Sequence, residues 1–286
     1  MGPDQYGITI NPLGLSGVQA SAYCLKVRED LKKVERTKSG KILLNSIRYY
    51  GRPVEIRPFP VGDCGPTAYA DMEISPPDSI GGMFRALATA GQSQVKAFAY
   101  YSPDRYSKSH GCNQSTPMTS TTKMDEVLVH ELAHVFRFVS GKLKIFDTVD
   151  TRVPLHSGLR EYTNNEEFYA TLLEHIYVSD RSNKTKSVVK TSYTNHWPLK
   201  EEFMKPWGFF AQSVLSFDLI DTFCQDHKGL SKRIATDLAD SAFNPITDYY
   251  ADKERARRVS QGAMHNDIAM LTKHMIWWLE DLRIIR

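Results

Sequence analysis

The sequence predicts an α+β fold with a small mixed sheet, a helix carrying a histidine pair, and a mainly helical C-terminal region. Three observations carry that expectation. Runs rich in β-branched and aromatic residues fall between residues 53 and 102. A helical pattern beginning near residue 121 holds H-E-L-A-H at 130–134. Beyond residue 196 the apolar spacing is mostly helical.

The elements follow in order. Val18 to Arg36 reads as the first helix, with Ala22, Leu25 and Leu31 among its apolar positions. "TKSG" breaks it, "KILLNSIRYYG" forms the next helix, and Gly51 marks the stop. "PVEIRPF", "QVKAFAYYS" and "TAYADMEI" read as strands between turn-rich stretches such as "VGDCGP" and "ISPPDSIGG". For "KAFAYYS" two readings stand level: a cleft edge that an extended peptide joins as a further strand, and an interior strand.

After the polar loop "SKSHGCNQSTPMTSTT", a helix starts near Thr121 or Thr122, which suit N-caps, with Asp125 and Glu126 in its first turns. It runs to Ser140 and stops at Gly141. The connector "RVPLHSGLREYTNN" leads to a second helix, "EEFYATLLEHIYVSD". Residues 181–196 are polar and basic and form the expected boundary between 1–180 and a helical 181–286 that either stands apart or completes the same domain. That last part breaks at "KPWG" and "AFNPI" and ends in the apolar "IAMLTKHMIWWLEDLRII". Trp197, Trp207, Trp277 and Trp278 are expected to pack its helices, and "KERARR" to form a solvated face.

Bulk properties narrow the function classes. A chain of 286 residues buries a substantial core. Its formal charge of +3 is too small to imply nucleic acid. Between Lys123 and Asp180, ten acidic residues outnumber six basic ones, a bias that bound metal would partly offset. Cys24, Cys64, Cys112 and Cys224 are scattered and read as free buried thiols. The N-terminus lacks the apolar run of a signal peptide and the myristoylation pattern, and no segment reaches transmembrane length. The expectation is a soluble protein, exported, if at all, without a cleavable signal, whose triplets at Asn113 and Asn183 stay unmodified.

The chemistry lies in the histidine pair. Residues four apart on a helix differ by about 40° around the axis, so His130 and His134 can present two imidazoles to one ion. Glu131 is displaced by about 100° and flanks the metal. There it serves as general base and acid toward a water that zinc brings to a pKa of about 7. Val127, Leu128, Leu132, Val135 and Phe138 supply apolar anchoring. A catalytic zinc needs a third protein ligand, and "VFRFVSG" has no further histidine. The downstream helix offers Glu166 and Glu167, of which only one is expected to reach the ion.

Two resemblances sharpen this reading. "EFYATLLEHIY" is similar to the third-ligand helix of anthrax lethal factor, in which the ligating glutamate directly precedes two aromatics and an alanine. The resemblance implies Glu167 as ligand, with Glu166 second. It implies an oxyanion donor whose nearest equivalent is Tyr162, two residues closer to Glu167 than in that pattern, and His156 and Arg160 on the same connector compete for the role. The lethal-factor pattern has a carboxylate four residues past the ligand, where this chain has Thr171, so outer support falls to Glu174 or elsewhere.

Over roughly residues 7–180 the chain also resembles the NleD-like effector zinc metallopeptidases of bacterial pathogens. The resemblance rests on "GITI", "TKSGKILLNSI", "VEIRPF", the H-E-L-x-H helix and "NNEEFYA". It implies a zincin-like fold of the gluzincin type over 1–180 and a zinc-dependent endopeptidase. It further implies an effector or toxin delivered to a target-cell cytosol, with a protein as substrate. The type III secreted members cleave activation loops of host stress-activated kinases. The readings from other classes are a non-catalytic binding protein on a degenerate zincin fold and a zinc hydrolase of a non-peptide amide or ester. Retention of Glu131 beside the ligands argues against the first.

Overall fold

The computed structural model describes residues 3–58, 70–73, 96–103, 123–143, 165–182, 219–241 and 243–260. The chain divides into two compact units, Met1–Ile145 with Thr191–His196, and Phe146–Lys190 with Trp197–Arg286.

The first unit holds strands β1 (Ile8–Ile10), β2 (Val54–Arg57), β3 (Ala70–Glu73) and β4 (Lys96–Tyr100), in the sheet order β1-β2-β4-β3. β1 and β2 run parallel with Ile8 opposite Val54, and β2 and β4 run parallel with Val54 opposite Ala97. β3 is antiparallel to β4, with Asp71 opposite Phe98. The sheet is therefore mixed, as expected, and its three longer strands fall within the segments read as strands. Three-residue β1 was not anticipated, because it is too short to display the two-residue alternation of a strand. β4 is paired on both sides, which overturns the cleft-edge reading of "KAFAYYS". Among the described residues, the outer place beside it belongs to β3.

Parallel neighbours need a crossover. Between β1 and β2 it is supplied by helices α1 (Gly17–Arg36) and α2 (Lys38–Tyr49). α1 buries Tyr23, Val27, Leu31 and Val34, a stripe at steps of four, four and three. Ala22 and Leu25 lie outside that stripe and are exposed. α2 starts earlier than "KILL", because the break is Thr37 alone. The Thr37 hydroxyl donates to Val34 O at 2.9 Å and accepts the Gly40 N–H at 3.0 Å, serving the end of one helix and the start of the next. A Cβ at Gly40 would sit 2.0 Å from Val34 O, so close approach excludes any side chain. Gly51, at φ +65°, closes the segment.

Helix α3 (Met124–Val139) packs in this unit against α1, α2, β3 and β4. The second unit contains α4 (Asn165–Ser182), a helical stretch over 219–226, α5 (Lys228–Asp237) and α6 (Pro245–Ser260). Its core includes Phe168, Leu172, Ile176, Ile220, Phe223 and Ile246, with the Tyr169 and Phe223 rings 5.7 Å apart. The expected break at "AFNPI" is present. Asn244 Nδ2 donates to the carbonyls of Ile234 and Leu238, its Oδ1 accepts the Thr247 N–H, and Pro245 takes the first helical position. At the head of "KERARR", Lys253 is exposed and pairs with Asp221 at 2.7 Å. The four tryptophans lie outside the described residues. Among the described residues, no helix is long and apolar enough to cross a membrane.

Candidate metal centre

α3 is anchored almost all round, as every residue from Asp125 to Val139 is buried. Val127, Leu128, Leu132, Val135 and Phe138 provide the expected apolar contacts. Its N-cap position is Lys123, later than the threonines, which lie outside the described residues. A lysine side chain accepts no hydrogen bond. The Glu126 carboxylate instead reaches back to the Lys123 N–H at 3.1 Å. With Asp125 it also places negative charge at the positive end of the helix. The C-terminal stop is as expected, with Gly141 at φ +71°.

On this rod His130, Glu131 and His134 are all buried. The two imidazole rings stand 4.9 Å apart at 71°, with their Nε2 atoms 3.2 Å from one another. Two ligands on a tetrahedral zinc, each bonded at about 2.0–2.1 Å, lie roughly 3.3 Å apart, so the pair already has the edge length the ion needs. On α4, Glu166 is buried and Glu167 half-buried. His130, His134 and Glu167 offer one ligand atom each, all within 4.8 Å of one another, and so form a group able to hold a metal ion. Two imidazole nitrogens and one carboxylate make a donor set that suits zinc and leaves a fourth position for water or substrate. Tyr162, His156 and Arg160 lie outside the described residues.

The comparison with known families agrees with this geometry. The peptidase family M91, described as effector protein, matches residues 15–204, about two thirds of the chain. The chain belongs to the M91 effector-peptidase family. That is the NleD-like group its motifs resemble. No curated protein and no solved structure matches it.

Two features of this M91 peptidase escaped the sequence reading. The first is a buried polar knot at the start of α3. The Tyr101 hydroxyl lies 2.6 Å from Asp30 Oδ2 and 3.0 Å from Met124 O, donating to both as a forked bond. Lys33 Nζ donates to Asp30 Oδ1 at 2.6 Å, and Tyr23 donates to Tyr101 O at 2.9 Å. Burial, and then the Asp30 carboxylate, push the Tyr101 phenol well above its usual range, so it remains a donor. The second is Arg137, 1% exposed, whose Nη2 donates to Lys142 O at 2.7 Å across the C-terminal end of α3. The knot carries no sequence signal, because its partners are fixed by tertiary packing, whereas the Arg137 contact is local, between residues five apart at a helix end.

Proposed function

We propose that this M91 peptidase is a zinc-dependent endopeptidase, acting as an effector or toxin on a protein inside a target cell. The observation that carries the reading is the group of His130, His134 and Glu167 with Glu131 adjacent on the same helix. In this reading the three residues hold zinc. Zinc, when bound, supplies Lewis acidity toward the scissile carbonyl and makes hydroxide available near neutral pH. Glu131 takes the proton from the attacking water at a carboxylate oxygen and returns it to the leaving amine. Tyr162 is the proposed hydrogen-bond donor to the developing oxyanion. An extended substrate segment would add along β3, the antiparallel edge of the sheet among the described residues.

Two measurements test the proposal. Protein purified without added zinc should carry about one restorable equivalent, as a three-ligand site implies; a sub-stoichiometric, non-restorable content would sink the metal reading. New N-termini should appear in lysate treated with wild type and be missing with Glu131→Gln. If toxicity survives that substitution unchanged, proteolysis is not the activity.

A further inference from the structure

Thr171 lies four residues beyond Glu167 on α4, one turn along and about 40° around the axis, and is fully buried. Its hydroxyl oxygen has no hydrogen-bond partner among the described residues. Four other helical hydroxyls among the described residues are satisfied within their own helix. Ser21, Ser46, Ser231 and Thr236 each donate to the carbonyl four residues back, at 3.2, 2.7, 2.9 and 2.9 Å. The corresponding acceptor for Thr171 would be the Glu167 carbonyl, and Thr171 does not use it. A buried, unsatisfied hydroxyl is costly, and native structures keep one where a bound group or ordered water completes it.

We propose that Thr171 is a positioning residue for the Glu167 carboxylate. Its hydroxyl donates to that carboxylate, directly or across one water, when a metal is held by His130, His134 and Glu167. This rests on the metal centre proposed above. Helical side chains lean toward the N-terminus, so the Thr171 hydroxyl leans toward the turn that bears Glu167. A donor on one carboxylate oxygen fixes the carboxyl plane and leaves the other oxygen for the ion.

The test uses the full chain with Thr171→Val and Thr171→Ser, read by zinc affinity in competition with a chelator and by the melting temperature of the metal-free protein. Thr171→Val should bind zinc about 10–100-fold more weakly, the usual cost of losing an outer hydrogen bond to a ligand. Its metal-free melting temperature should hold or rise, since an apolar isostere replaces an unsatisfied hydroxyl. Thr171→Ser should restore zinc affinity. A merely structural role would give the reverse, a lowered melting temperature with unchanged affinity, and would overturn the inference. Equal affinity in wild type and Thr171→Val would overturn it too. Should Thr171→Val not fold, Thr171→Ala carries the same affinity expectation. A wild type that takes up no zinc sinks the metal reading itself, and the inference with it.

Discussion

His130 Nε2 and His134 Nε2 stand 3.2 Å apart on successive turns of α3. Holding two imidazole nitrogens that close is unfavourable once both are protonated. A shared hydrogen bond or a shared cation removes the repulsion, and the rigid, fully packed helix keeps the pair from spreading. Replacing either histidine by alanine should therefore abolish stoichiometric zinc binding. Glu131→Gln, one residue from the first, should retain the metal and lose about 10²–10⁴ of peptidase rate, the range for a general base. Metal content and a peptide-cleavage assay on the same preparations separate the two effects.

Adjacent glutamates give the next expectation. Glu166 is buried and Glu167 half-buried, and only Glu167 belongs to the group with the histidines. They point about 100° apart on α4, so one ion cannot take both. Glu167→Gln should weaken zinc binding beyond the roughly 10–100-fold that an outer hydrogen bond is worth, whereas Glu166→Gln should leave the zinc stoichiometry intact. Chelator-resistant zinc in Glu167→Gln, or its loss in Glu166→Gln, would reverse the assignment.

How much of this was legible in the sequence depends on how local the cause is. H-E-x-x-H reads directly because a helix converts a four-residue step into proximity, and the apolar residues around it announce burial. The aromatic-alanine sequence after Glu167 reads only through its resemblance to a known ligand helix. β1 is too short to show a period, and the interior place of β4 depends on partners dozens of residues away. The one-residue break at Thr37 escapes because a single hydroxyl serves two helices at once, where "TKSG" reads as a longer breaker. Asp30 and Tyr101, 71 residues apart, meet only through the packing of α1 beneath the start of α3.

That distant pair is itself testable. Tyr101→Phe keeps the ring and removes the hydroxyl that bridges Asp30 and Met124 O. It leaves the buried Asp30 carboxylate with Lys33 but without its phenol. A hydrogen bond to a charged group contributes about 1.5–3 kcal/mol, and urea denaturation of the variant should show a loss of that order. Zinc stoichiometry at saturation should be unchanged, since the ligands are untouched. An unaltered urea midpoint would mean that the knot does not hold the start of α3.

Gly40 gives a contrast with Gly141. At Gly40 the obstacle is a backbone carbonyl 2.0 Å from where a Cβ would stand, and backbone yields at high cost. At Gly141 no described residue lies within 4 Å, and the penalty is conformational, from φ +71°. Gly141→Ala should destabilise by about 1–2 kcal/mol, the left-handed penalty for an L-residue. Gly40→Ala should cost at least the roughly 1–3 kcal/mol of an overpacked site and also disturb the Thr37 cap. Denaturant midpoints for the two variants order these costs, and a neutral Gly40→Ala would show that the α1–α2 corner relaxes freely.

Cys224 sets a pH dependence with a definite sign. Its side chain is buried between elements of the helical unit, and that burial pushes the thiol from an ordinary 9.0 up to about 12. The folded protein thus keeps the proton at pH values where the unfolded chain releases it. Stability from this group is complete below pH 9 and is lost as pH rises from 9 toward 12, by at most about 1.4 kcal/mol per unit. Tyrosines and lysines titrate in the same range, so the informative quantity is wild type minus Cys224→Ala in denaturant unfolding. That difference should shrink as pH rises above 9 and stay constant below it. Alkylation mapped by peptide mass spectrometry gives an independent check. The half-buried Cys24 should label in the native protein at pH 8, and Cys224 only after unfolding. Native labelling of Cys224 at the rate of Cys24 would show that the helical unit opens far more readily than its packing implies.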